Sequence, residues 1–182
     1  MKRVMLFLLC ICSAFHASAA GAIDLPAAPS GFQWQQIKEQ KAAFLRPDGW
    51  FFLHEEKDGT SAYFITQEDI GKTGGFNTGL TVNVFRLKKD SPVARGKQLI
   101  DNMAAQHHAA TLSRDFGPFK EFACDLENTD ASGTTKMHAL AVANPKTGTL
   151  YLILFESPVS EWKSAWAIGQ LIMENLALDD EN

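Results

Sequence analysis

Histidine side chains are the natural candidates for a metal site in this 182-residue chain. Outside the N-terminal segment they are His54, His107, His108 and His138. Their spacing matches neither HxH nor HExxH, and no carboxylate-rich ligand pattern accompanies them. His107 and His108 are adjacent on a predicted helix, where neighbouring side chains point about 100° apart and rarely share one ion. The sequence therefore assigns no metal-ligating residue, although ligands drawn from distant parts of the fold would suit a metal-dependent hydrolase.

A nucleophile with a base in reach would be the other route to hydrolysis. The sequence contains no GxSxG motif, and Cys124 has no recognisable flanking signature. Two of the three cysteines, Cys10 and Cys12, lie in a predicted signal peptide, which leaves Cys124 as the single thiol of the mature chain. It can form no intramolecular disulfide and is predicted to be buried and inert. No catalytic residue is assigned, and the chain is predicted not to be an enzyme.

A GKT triplet at Gly71-Lys72-Thr73 has the ending of a phosphate-binding loop. Such a loop needs GxxxxGK[ST], but the residue five positions before Gly71 is Thr66. The segment also leads into a predicted strand, so no helix N-terminus faces a phosphate. The sequence predicts a surface loop here and assigns no cofactor.

Aromatic residues at Trp50-Phe51-Phe52 place rings on both faces of one predicted strand. One face belongs to a core, and the other must meet a helix, a ligand or a partner. Burial under a second helical layer is the favoured interpretation. Trp162 and Trp166 lie on the apolar stripe of the last predicted helix and are expected in the core.

The N-terminal 20 residues have the layout of a secretory signal peptide. Lys2 and Arg3 precede an apolar run over 4–15, and small residues follow at 17–19. The run of about twelve apolar residues is too short for a bilayer, which needs roughly twenty. Neither cysteine in it is preceded by the small residues of a lipoprotein signal. An extracytoplasmic location, periplasmic or secreted, is predicted without stable membrane insertion.

Charge argues against a nucleic-acid partner. Cleavage after the signal removes Lys2 and Arg3, which leaves 15 basic and 21 acidic residues and a net charge of about −6. Affinity for nucleic acid comes largely from basic residues that contact phosphates, and no basic stripe is visible.

Periodic patterns predict an α+β domain over 41–178, after a leader over 21–40 and before an acidic tail over 179–182. Helices are predicted over 92–107, capped by Ser91, and over 161–176, capped by Ser160. Most of the remainder alternates as strands, with turns at Pro47-Asp48-Gly49 and Lys57-Asp58-Gly59. The predicted strands cover 43–46, 50–55, 61–66, 80–87, 119–127, 134–143 and 149–156. Short turns imply antiparallel pairing in one sheet, which the two helices should cover.

Three segments resemble the PsbP-like superfamily. They are FLRPDGW at 44–50, the strand over 80–87 with its following helix, and TLYLILFESP at 149–158 followed by Glu161-Trp162. The resemblance covers about 43–178 and implies a central antiparallel sheet sandwiched between helices. It also implies a non-catalytic binding or assembly role, as in most members, and carries over no site residue.

These patterns favour an accessory protein that binds another envelope or secreted protein, or an envelope component. A small-molecule or lipid carrier with a cavity between sheet and helix is the alternative. The sequence identifies neither the partner nor the oligomeric state.

Overall fold

A computed structural model describes residues 25–57, 59–130 and 133–181 of the chain. The predicted signal peptide and the first part of the predicted leader lie outside these residues. The strands are β1 (Phe32–Ile37), β2 (Ala42–Pro47), β3 (Phe51–Lys57), β4 (Thr60–Thr66), β5 (Gly79–Arg86), β6 (Thr111–Phe116), β7 (Phe119–Asp130), β8 (Gly133–Asn144), β9 (Thr149–Pro158) and β10 (Ala177–Leu178). The helices are α1 (Ile70–Thr73), α2 (Pro92–Gln106) and α3 (Trp162–Glu174).

The main sheet has seven strands in the order β3-β4-β5-β9-β8-β7-β6. Every pairing in it is antiparallel. Helix α2 packs on one face, and α3 packs on the other. The predicted α+β fold, with a central antiparallel sheet between helices, is confirmed. Among the described residues no helix is long and apolar enough to cross a membrane.

Side-chain size on strand β8 differs between its two faces. Ala139, Ala141 and Ala143 point towards α2, whereas Leu140 and Val142 point towards the α3 side. The period of two that separates these sets is the ordinary geometry of a strand. Because the α2 face is lined by methyl groups, the helix approaches the sheet closely, and a Cβ on Gly96 would lie 3.0 Å from Leu150 Cδ1.

Both long helices begin close to their predicted starts. Ser91 caps α2, accepting a hydrogen bond at its Oγ from the backbone N–H of Ala94 at 3.3 Å. The prediction that Ser160 caps α3 is wrong, because the N-cap residue is Glu161 and its side chain makes no capping bond. Helix α3 ends at Glu174, before the acidic tail, whereas the sequence predicts it to continue to residue 176.

A second, three-stranded sheet in the order β1-β2-β10 differs from the single sheet predicted. Residues 32–40, placed in the leader by sequence, form β1 and a short 3-10 turn. Phe32 and Trp34 of β1 pack against the core, and Ile37 is buried. Glutamines between and after these residues give the segment a polar composition, and its burial breaks the period of two at Ile37, three positions after Trp34, so the alternation typical of a strand is absent.

Candidate functional site

A groove of about 480 Å³ separates helix α3 from strands β6, β7 and β8, and is called the α3 groove below. It is wide enough for a ligand or for side chains of a partner, since ligand pockets typically measure about 300–1,000 Å³. Its lining combines apolar and polar groups: Leu112, Ser113, Arg114, Glu121, Ala123, His138, Leu140, Trp166, Gln170, Met173 and Glu174.

Two stacked tryptophans lie on α3, and one of them, Trp166, forms part of the apolar wall of the groove. Trp162 and Trp166 stand one helical turn apart, with ring centroids 5.2 Å apart and planes within 7°. Both rings also contact buried Phe155 on β9, at centroid distances of 6.0 and 5.7 Å. The expectation that these tryptophans pack against the core is confirmed, although both stay partly exposed.

A histidine–aspartate pair lies at the groove on β7 and β8. His138 Nδ1 is 2.8 Å from Asp125 Oδ1, and these two residues are direct cross-strand partners. The imidazole also packs on Trp166, with the ring centroids 4.7 Å apart. Asp125 orients the imidazole of His138, as the aspartate of a Ser-His-Asp triad orients its histidine. Whether it can act as a base depends on a nucleophile nearby.

Ser113 lines the groove but cannot serve as that nucleophile. It is the direct cross-strand partner of Phe122, which belongs to the α2 core. Residues directly opposite each other in a sheet share a face, so the Ser113 hydroxyl points away from the face that carries His138. The His138–Asp125 pair therefore has no serine of β6 on its own face of the sheet.

Cys124 also faces α2 rather than the groove. It is buried, and its Sγ lies 3.9 Å from the backbone oxygen of Ile100. Burial raises the pKa of the Cys124 thiol, and the negative charges of Asp125 and Asp101 raise it further. A thiol held protonated in this way is a poor nucleophile.

The four candidate histidines do not converge. His54 lies on β3 and stacks on Tyr63 at 4.4 Å, four strand positions from His138 on β8. At roughly 4.8 Å between strands, that separation is about 19 Å. His107 and His108 follow α2 on the opposite face. Within the described residues no group of three or more His, Cys, Asp and Glu side chains could hold a metal ion.

The GKT triplet belongs to the one-turn helix α1, where a loop is predicted. Lys72 pairs with Asp69 at 3.0 Å, and Thr73 Oγ1 donates to the backbone oxygen of Asp69 at 3.0 Å. The helix ends at Gly74, whose φ is +75°. The lysine is therefore used in a local ion pair at the surface.

Phe51 departs from the favoured interpretation of the aromatic triplet. Trp50 and Phe52 pack against the core, but Phe51 is 42% exposed on edge strand β3. In the described structure no second helical layer covers this side chain, because α2 packs on β7, β8 and β9 instead.

Strand β6 is the feature of the groove that the sequence analysis missed. Leu112 on this strand is 72% exposed and forms part of the groove lining. All six side chains of β6 are exposed, so its alternation does not separate a core face from a solvent face. The Gly117-Pro118 dipeptide that joins β6 to β7 is the one local signal that could have identified a hairpin.

No family model and no curated protein sequence matches the chain significantly. Several solved structures resemble it, among them two with TM-scores above 0.5. One is the cyanobacterial PsbP protein CyanoP from Synechocystis, with a TM-score of 0.52, 11% identity, and coverage of 84% of this chain and 95% of that one. The other is the Ran-binding protein Mog1p from Saccharomyces cerevisiae, with a TM-score of 0.51, 12% identity, and coverage of 81% and 95%. This chain therefore has the PsbP-like fold.

Proposed function

We propose that the protein is an extracytoplasmic, non-catalytic accessory protein that binds another protein at strand β6 and the α3 groove. An extended segment of the partner would add to the sheet beside β6 and place side chains in the groove. The observation that carries this proposal is a terminal strand with an open outer edge next to an apolar groove. Strand addition at such edges is a recurrent mode of peptide recognition.

The charged side chains of β6 are not placed to prevent another chain from pairing with its outer edge. Natural edge strands commonly carry charged side chains that prevent pairing with other chains. Arg114 and Asp115 are charged, but Arg114 is bound to Glu121 and Asp115 to Lys120, both on β7. These ion pairs direct the charged groups inwards along the sheet. The side chains of Arg114 and Asp115 remain exposed in these pairs, as do Glu55 and Glu56 on the opposite edge strand β3.

Backbone groups on β6 are available in a predictable pattern. Phe116 pairs with Phe119 across the two-residue turn, and the closing pair of such a hairpin exchanges both backbone hydrogen bonds. Alternation then directs the N–H groups of Thr111, Ser113 and Asp115 away from β7. A partner strand would use these donors, while Leu112 and the groove would select its side chains.

Fold likeness is consistent with a binding role. Mog1p is described as a Ran-binding protein. At 12% identity this likeness supports only the proposal that the same fold can present a protein-binding surface.

A photocrosslinking amino acid in place of Leu112, in the native host, tests the proposal. We expect a defined protein adduct. Ser113→Pro should abolish it, because proline removes the N–H that points away from β7 and leaves the hydrogen bonds between β6 and β7 intact. The matched control is Glu56→Pro on the other edge strand, where alternation from the closing pair Lys57 and Thr60 likewise directs the N–H away from the neighbouring strand. An adduct that persists in Ser113→Pro at full yield would contradict strand addition. An alkaline phosphatase fusion tests the proposed location separately.

The α3 groove also favours a second candidate, the small-molecule or lipid carrier. Its volume and its apolar wall of Trp166, Leu140 and Met173 suit an apolar ligand. Native mass spectrometry of gently purified protein distinguishes the two functions. A co-purifying ligand lost in Trp166→Ala would favour the carrier.

A further inference from the structure

A second cavity, of about 350 Å³, lies on the opposite face of the sheet from the α3 groove. It is bounded by the C-terminal end of α2 and by strands β7, β8 and β9, and is called the α2 cavity below. Glu156, on the central strand β9, contributes a carboxylate to it. The site is thus separate from strand β6 and independent of the function proposed above.

Glu156 is a half-buried acid without a partner among the described residues. It forms no hydrogen bond or ion pair there, whereas nearby strand residues such as His138 and Lys136 do. Burial alone raises the pKa of the Glu156 carboxyl. An ionised carboxylate removed from water without a cation or donors is unfavourable, and a bound cation would relieve that cost.

His107 adds an acceptor to the same cavity. Its Nδ1 is 2.9 Å from the backbone oxygen of Glu127. A carbonyl oxygen only accepts, so Nδ1 carries the proton, and Nε2 of the neutral imidazole is left with its lone pair. The ring is thereby presented as an acceptor towards any ligand that reaches Nε2.

The remaining lining suits a cation with an apolar body. Met103, Met137 and Leu126 supply apolar surface, and a methionine thioether is itself a weak acceptor. Gln106, Asn128 and Thr135 add side-chain oxygens that can accept, together with amide and hydroxyl groups that can donate. Neither lysine nor arginine contributes to the lining. The cavity therefore offers one negative charge, several acceptors and no fixed positive charge.

We propose that the α2 cavity binds a small primary alkylammonium compound, with its ammonium group at Glu156 and its carbon chain against Met103 and Met137. The volume lies at the lower end of the range for small-molecule sites, which fits a short chain. An ammonium group carries three donors and no acceptor, which complements a lining of acceptors.

Isothermal titration calorimetry at about pH 8, where the alkylamine probes are cationic, tests the proposal. The probes are n-butylamine, 1,4-diaminobutane and the neutral analogue 1-butanol. We expect saturable binding of the amines but not of 1-butanol. Glu156→Gln keeps the shape of the side chain and should weaken amine binding about tenfold or more, as loss of a charge-assisted hydrogen bond implies. Glu174→Gln, in the α3 groove, should leave it unchanged.

Several results would overturn the proposal. One is binding of 1-butanol as tight as that of n-butylamine, and another is full amine affinity in folded Glu156→Gln. Absence of amine binding at millimolar concentration would do the same. Binding of Cu(I) that is lost in Met103→Leu and Met137→Leu, with no response to amines, would assign the cavity to a soft metal ion instead.

Discussion

Replacing Gly169 by alanine tests how closely helix α3 is docked on the main sheet. A Cβ built at this position lies 2.8 Å from three ring atoms of Phe155. Real Cβ atoms do not approach other atoms so closely, so the ring or the helix must move. Phe155 is fully buried and its ring contacts both Trp162 and Trp166, which leaves it little freedom to rotate away.

Two opposing effects determine the size of the change. Alanine is favoured over glycine inside a helix by about 1 kcal/mol. Overpacking a filled core costs about 1–3 kcal/mol, and three contacts of 2.8 Å to a buried ring place this substitution in the upper part of that range, at about 2–3 kcal/mol. The steric cost should prevail, because all three close contacts are made to a fully buried ring that is already in contact with two tryptophans. We expect Gly169→Ala to lower the free energy of unfolding by about 1–2 kcal/mol.

Urea denaturation followed by tryptophan fluorescence measures this change as a shift of the transition midpoint. With a slope of about 2 kcal/mol per molar urea, the midpoint should fall by about 0.5–1 M. Gly96→Ala in α2 is the matched control. Its closest contact is 3.0 Å to Leu150 Cδ1, the mobile end of an aliphatic side chain, and its other contacts are 3.5 Å or longer. This variant should be neutral or up to about 1 kcal/mol more stable. A midpoint for Gly169→Ala at or above that of the wild type would refute the close docking of α3.

Three further predictions concern the core and its titratable groups. Trp166→Ala should lower the free energy of unfolding by about 2–4 kcal/mol, somewhat less than for a fully buried ring, in the same urea assay; a change below about 0.5 kcal/mol would mean that the ring contributes no packing. Glu156→Gln should raise the melting temperature at about pH 8. Burial raises the pKa of the Glu156 carboxyl, so the folded state is disfavoured once pH rises above that pKa and the carboxyl ionises. Calorimetry should show that the difference in melting temperature between variant and wild type disappears below the ordinary pKa of 4.5. Cys124 should react with Ellman's reagent at about pH 8 only after unfolding, since burial excludes the reagent and raises the pKa of the thiol; equal rates for folded and denatured protein would contradict this.

Local patterns in the sequence determined the elements whose residues alternate between a core and another environment. Ser91 and Pro92 mark the start of α2, and the period of Ala165, Gly169 and Ile172 identifies the buried face of α3. Capping and amphipathic periodicity act within a few residues, so they can be interpreted without knowledge of the fold. Antiparallel pairing followed from the short turns.

Strand β6 and the two cavities were decided by tertiary structure alone. The six exposed residues of β6 carry no apolar period, so this strand exists because β7 supplies its hydrogen bonds. Glu156 continues an apolar strand, and nothing beside it in the chain distinguishes it from a solvated acid; its burial comes from packing between β8 and the end of α2. His138 likewise gains Asp125 and Trp166 from other elements. Such sites depend on contacts between residues of different elements, and a local sequence pattern does not specify which elements come together.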